Sequence, residues 1–238
     1  NVTPTAPAGL SRVASSGWLA FALAERGEFE AAHIHGKEAE QAGEELGNPY
    51  GAAIARTMRA LVWLRQGRLE EATRLLEEAL DACRAKRLTV WQAIPSVLLG
   101  VALTHLGRVQ QGLPLLEAGV ALTEQLGVRA YLALWTTHLA EGHLALGQLD
   151  RARELGKRAL SLAQDCKEVG HQAWALWLLG EVAAAGGPDT IAHAEAAFAE
   201  ATTIATARGM RPLLVRCHLG LGAAYRDLAM AARARSEL

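Results

Sequence analysis

Aromatic residues are scarce in this sequence, 5% of 238, while alanine and leucine dominate. That balance disfavours sheets and suits helices, and a hydrophobic share of 51% is ample for a sizeable core. A basic excess is also missing: 24 Lys and Arg face 25 Asp and Glu, a formal net charge of −1. Nucleic-acid binding then lacks its main electrostatic contribution, and no nucleic-acid partner is expected. The three cysteines, Cys83, Cys166 and Cys217, lie far apart and have neither metal spacing nor a disulfide framework. They read as reduced thiols in a cytoplasmic protein. The initial Asn1-Val2-Thr3 matches a glycosylation sequon, but nothing else looks secreted, and the absence of an initiating Met points to an excised piece.

Recognisable chemistry is equally sparse. The chain has no P-loop, no GxGxxG after a strand and no HExxH. His33 and His35 are two apart and face different sides of a helix; His138 and His143 are five apart, poor spacing for one metal. No catalytic residue, cofactor or metal site is expected, and the segment does not read as an enzyme. Leu88–Gly107 carries no charge over about the length of a membrane-spanning helix. It contains Gln92, Pro95, Ser96 and His105 and keeps the phase described next, so it reads as a buried helix, with no membrane partner.

What the chain does have is a repeat. Gly27, Gly67, Gly107, Gly147 and Gly187 are spaced by forty residues, and each ends a helical pattern. An apolar residue follows two positions later at Phe29, Leu69, Val109 and Leu149. A second helix then runs to Gly47, Arg87, Gly127, Lys167 or Gly209. Each unit is two antiparallel helices of roughly 27 Å, stacked as a solenoid. Small residues hold fixed phases: Ala20, Ala60, Gly100, Ala140, Gly180 and Gly220 seven before the turn glycine, Ala32, Ala72, Gly112 and Ala152 five after it, and Ala39, Ala79, Gly119 and Ala159 twelve after it. In the fifth unit "GGPDT" adds two residues, and the last two sets continue at Ala194 and Ala201. Small side chains let helices approach closely, and leucines beside them, Leu19, Leu99, Leu139, Leu179 and Leu219, fill the space.

This small-residue spacing resembles the tetratricopeptide repeat (TPR) pattern over nearly the whole chain. The period exceeds the usual ~34 residues. The proline that usually closes the second helix is replaced by Glu44, Arg84, Glu124 and Gln164. The resemblance implies an all-α, TPR-like α-solenoid, a right-handed superhelix of helix hairpins. Residues 1–10 read as a linker, 11–47, 48–87, 88–127, 128–168 and 169–209 as complete repeats, and 210–238 as an incomplete one. The stretches "KEVGHQAWALWLLGEVAA" (167–184), "GGPD" and "ARGMRPLLVRCHLGLGAAY" (207–225) are more closely similar to the C-terminal TPR region of bacterial proteins that join a class III adenylate/guanylate cyclase domain to an AAA ATPase.

The resemblance also implies a partner surface. In such a superhelix the first helix of each unit lines the concave face, and helical periodicity then selects Trp18, Phe21, Thr57, Met58, Leu61, Arg65, Val101, His105, Thr137, His138, Glu141, Trp174, Trp177, Glu181, His218 and Tyr225. The first three units present Phe21, Leu61 and Val101 where the next two present Glu141 and Glu181. Two carboxylates flanked by Trp174 and Trp177 would favour a cationic peptide side chain, while the alternative places Trp174 in the core and pairs the glutamates with His138 and His218. The Lys and Asn that grip acidic chaperone tails are missing, so such tails are not expected to bind. The function implied is a protein- or peptide-binding scaffold or sensor segment of a larger bacterial signalling protein, the partner being another protein or the chain's own other domains. Two alternatives stand beside it: the effector-sensing array of a MalT-like transcription activator, and a self-association module forming homo-oligomers through exposed solenoid ends.

Overall fold

The computed structural model describes residues 8–227. Among these, eleven α-helices and one 3-10 turn follow one another without a strand. Helices α1 (Ala8–Glu25) and α2 (Phe29–Glu45), α3 (Pro49–Arg65) and α4 (Leu69–Ala85), and α5 (Thr89–His105) and α6 (Val109–Gln125) are successive hairpins. They are followed by α7 (Leu132–Ala145) with α8 (Leu149–Asp165), then α9 (Val169–Ala185), the 3-10 turn Pro188–Thr190, α10 (Ile191–Arg208) and α11 (Arg211–Asp227). The chain divides into two compact units at Gly119/Val120. The stretch read as a linker needs correction at its end: Ala8–Leu10 belong to α1. The remainder, 1–7, and residues 228–238 of the sixth repeat lie outside the described residues.

The turns explain the spacing. Gly27, Gly67, Gly107 and Gly147 stand at φ of 74°, 81°, 75° and 72°, the left-handed region that glycine enters without a Cβ penalty. Each is followed by an amide that bonds back into the helix just ended: Glu28 N–H to Leu23 O at 2.9 Å, Arg68 to Trp63 at 2.9 Å, Arg108 to Leu103 at 2.8 Å and Gln148 to His143 at 3.0 Å. These are Schellman closures, and they satisfy carbonyls a helix end would leave open. The turns after α4, α6, α8 and α10 use the same device, with Arg87 (φ 53°) and Lys167 (φ 58°) where α6 and α10 are followed by glycine. The inserted residues of "GGPDT" are absorbed by the 3-10 turn, pinned by Thr190 Oγ1 donating to Ala183 O at 2.6 Å.

Packing follows from which helices are covered. In the first unit α3 lies against α1, α2, α4 and α5; in the second, α9 lies against α7, α8, α10 and α11. A helix covered on several sides must be apolar nearly all round. Every residue of Leu132–Ala140 in α7 is buried, as is Pro95–Thr104 in α5, which accounts for the charge-free run. No described helix is long and apolar enough to cross a membrane. Second helices keep an exposed charged face, seen in Arg74, Glu77, Glu78 and Asp81 on α4.

The small residues sit where helices meet. A Cβ on Gly100 would lie 2.8 Å from Gly112 O, and one on Gly112 would lie 2.6 Å from Gly100 O. Ala20, Ala60 and Ala140, and their counterparts Ala32, Ala72 and Ala152, are wholly buried. The leucines beside them divide: Leu99 and Leu139 are buried, but Leu19 and Leu219, on the first and last described helices, are exposed.

Candidate functional site

Much of the surface inferred from the repeat is interior. Thr57, Met58, Leu61 and Val101 in the first unit, and Thr137, His138 and Trp174 in the second, have almost no accessible area; Phe21, Trp177 and Tyr225 are also buried. This corrects the expectation that these phases line an open face. They point at the neighbouring first helix, and a stacked neighbour covers what an isolated hairpin would present. Thr57 shows the consequence. Its hydroxyl donates to Ala53 O at 2.7 Å and accepts from Trp91 Nε1 at 3.2 Å, so it closes a core hydrogen-bond chain. Trp18 is partly buried against the Val13, Ile54 and Met58 cluster and meets the Phe21 ring edge-on at 6.1 Å. Arg65 forms an ion pair with Glu25, and His105 is half-buried.

The second unit gathers the remaining candidates. Tyr131, Trp135, His138, Trp174 and Trp177 form a run of rings along α7 and α9, with successive centroids 5.8, 6.5, 6.0 and 5.6 Å apart. At its far end lies the guanidinium of Arg216, 5.6 Å from the Trp174 ring centroid and 5.1 Å from that of Trp177. Its Nη1 donates to Glu141 Oε1 at 3.3 Å, while the other Glu141 oxygen is 3.2 Å from His138 Nδ1. The cation beside these rings and Glu141 thus belongs to the chain itself, while Trp174 is core and Glu141 faces His138, as the alternative reading of these residues has it.

Glu181, one turn along α9 from Trp177, completes the cluster. Burial pushes its carboxyl up, the Glu141 carboxylate adds to this, and the pKa reaches about 7 despite opposing help from Trp177 and Arg216. The Trp177 indole N–H finds no acceptor at ordinary hydrogen-bond geometry, yet it lies near enough to favour the ionised carboxylate. Glu181 Oε1 rests on α11 at Gly220: a Cβ there would be 2.1 Å away. His218, by contrast, is exposed, and the buried Tyr225 donates its hydroxyl to Glu195 at 2.8 Å.

Arg216 and the fit of Gly220 to Glu181 are what sequence reasoning missed. Arg216 precedes Gly220 by four residues, one helical turn, so it shares the face that meets α9; that spacing was the available signal. Cys217 is buried and its thiol is raised to about 11 by burial, which makes it inert packing. Among the described residues no group of three His, Cys, Asp or Glu side chains is placed to hold a metal ion. The histidines instead face side chains nearby, such as His171 with Glu168 at 2.9 Å and His143 with Gln148 at 2.6 Å.

Known proteins share this architecture. The tetratricopeptide repeat family profile matches residues 13–33, 53–78 and 136–155. No curated protein sequence matches the chain. Aspartyl phosphate phosphatase F from Bacillus subtilis superposes with a TM-score of 0.72 at 13% identity, over 98% of this chain and 59% of its own. A Rap protein complexed with competence and sporulation factor gives 0.72 at 15% identity, over 98% and 68%. A STAND signal-transduction ATPase with a tetratricopeptide repeat sensor, from Pyrococcus horikoshii, gives 0.56 at 16% identity, over 98% and 36%. The chain therefore spans less than two thirds of the phosphatase it resembles, and these likenesses establish the TPR-type helical repeat fold.

Proposed function

We propose that this chain is a protein- or peptide-binding repeat segment of a larger bacterial signalling protein, working in the cytoplasm. The observation that carries the reading is the cluster of Glu141, Glu181, Trp174 and Trp177 on two stacked first helices, joined by Arg216 from a third. Aromatic rings beside charge are the composition of an anchoring site, and although Trp174 and Trp177 are themselves covered, Arg216 over them is one third exposed and brings the cluster to the surface. The Rap protein complexed with competence and sporulation factor, and the ATPase with a repeat sensor, support a binding role for this fold. The similarity of residues 167–184 and 207–225 to cyclase–ATPase–TPR proteins suggests what is attached. In that setting the segment reports partner binding to catalytic domains elsewhere, and no chemistry is assigned to the segment.

An array of peptides from the parent organism's proteome tests this, probed with the chain and with a Glu141→Ala variant whose helicity is checked by circular dichroism. Saturable binding that weakens at least tenfold in the variant supports the reading. Retention of no peptide by the native chain sinks it.

A further inference from the structure

Six residues before the turn glycine, the first unit carries Phe21, Leu61 and Val101, all buried where first helices stack. Glu181 holds that phase on α9, so a carboxyl stands where the repeat elsewhere places an apolar side chain. Its cover is α11. The α11 backbone at Gly220 leaves no room for a Cβ, which would run into Glu181 Oε1 and meet the Phe198 ring at 2.8 Å. The carboxyl is half-buried, and the Trp177 indole N–H nearby has no acceptor at ordinary hydrogen-bond geometry.

We propose that Glu181 is a proton-operated latch on α11: the helix stays seated while the carboxyl carries its proton and lifts from α9 when the proton leaves. A neutral carboxyl rests against Gly220 and Phe198 at little cost, whereas a carboxylate there gives up water that its surroundings do not fully replace. Lifting α11 returns that water. The inference goes beyond the protein-binding reading and does not depend on it, so a peptide array that retains nothing leaves the latch standing.

The groups around Glu181 decide the sign. From α7 come Glu141, which repels a charge on Glu181, and His138, whose Nδ1 lies against Glu141. From α11 come Arg216, which favours that charge, and Cys217, whose thiol is kept protonated by burial first and by Glu181 as well. On α10 the Phe198 ring closes the apolar side and Glu195 accepts from the Tyr225 hydroxyl, while α8 meets α9 through Gly156 at Leu178 and Leu179. Burial and Glu141 together outweigh Trp177 and Arg216 and raise the carboxyl to about 7. Leu213, Cys217 and Tyr225 are buried under α11, so the seated form dominates, but Val215 and Leu219 on its outer side are more than half exposed. Such a helix can open without the rest. With the carboxyl near 7 when covered and near its ordinary 4.5 when uncovered, the lifted form is rarest below about 4.5 and gains as pH rises through 7. Linkage makes that gain about tenfold between pH 6 and pH 8.

Amide hydrogen exchange of the whole chain, followed by NMR at pH 6 and pH 8 and corrected for the intrinsic rate, tests the latch. The α11 amides are expected to be less protected than those of α9 and to lose about tenfold of their protection between the two conditions. In Glu181→Gln, neutral at both, that loss should shrink to about twofold or less. Equal protection of α11 and α9 means that α11 leaves only when everything around it unfolds, and it overturns the latch. A tenfold loss that survives in Glu181→Gln overturns it as well. Should the variant not fold, the native chain still decides. A Glu181 side-chain carboxyl found by carbon NMR to titrate near its ordinary 4.5, or α11 protection that does not change with pH, is incompatible with the latch.

Discussion

Arg65 donates from its Nε to the carboxylate of Glu25, a residue one full repeat away in sequence and one stacked helix away in space. The two side chains are only 3% and 14% exposed. Breaking a buried pair on one side costs more than the pair contributes, because a charge is left in a poor solvent. Glu25→Ala is expected to destabilise the protein by about 3 kcal/mol. The charge exchange Glu25→Arg with Arg65→Glu should recover part of that loss. Urea denaturation of the two singles and the double gives the coupling, and a cost for Glu25→Ala within error of zero contradicts this account.

Gly112→Ala should be more damaging than a turn substitution. Its Cβ would meet the Gly100 carbonyl oxygen at 2.6 Å, and a backbone atom in a packed helix cannot step aside. A loss of about 2–3 kcal/mol is expected. Gly107→Ala, strained at φ 75° but with nothing within 4 Å of its Cβ, should cost about 1 kcal/mol. Thermal unfolding of the two variants side by side checks the order.

Arg87→Gly and Lys167→Gly are expected to stabilise. Both residues sit left-handed, at φ 53° and 58°, where L side chains are strained. Relief of that strain exceeds the added entropy of the unfolded chain, for a gain of about 0.5–1 kcal/mol each. The two positions belong to different compact units, so their gains in denaturation midpoint should add.

Glu181 makes stability depend on pH. Its carboxyl titrates near 7 in the folded chain against an ordinary 4.5, so the folded state keeps a proton that the unfolded state has lost in between. Its contribution is complete below about 4.5 and declines as pH rises to 7, by about 3 kcal/mol at most. Stability curves at pH 5 and pH 7.5 should differ in the native chain. The difference should shrink in Glu181→Gln, and an unchanged slope would exclude this carboxyl as the source.

The repeat was legible because turns and close contacts are local demands. A left-handed residue after each helix and a small residue at each crossing recur in the string at fixed distance, and even Arg87 and Lys167 were found by phase alone. The candidate site was legible only in part. Trp174, Trp177, Glu141 and Glu181 are brought together as periodicity suggested, but burial depends on what the neighbouring helix covers, which one helix's period does not state. Met58 and Thr137 therefore looked like a binding face and are core. Arg216 escaped notice because its importance comes from rings on another helix, 75 residues from its Glu141 partner.

The turn at Gly187–Thr190 holds two residues more than its counterparts, yet the buried alanines resume in phase at Ala194 and Ala201. A hairpin turn in this chain is thus a tolerant seam. Length can vary there without moving any helix face, whereas one residue added inside α5 would rotate every following contact of that helix by about 100°. Reporter tags or a fused domain belong at such seams.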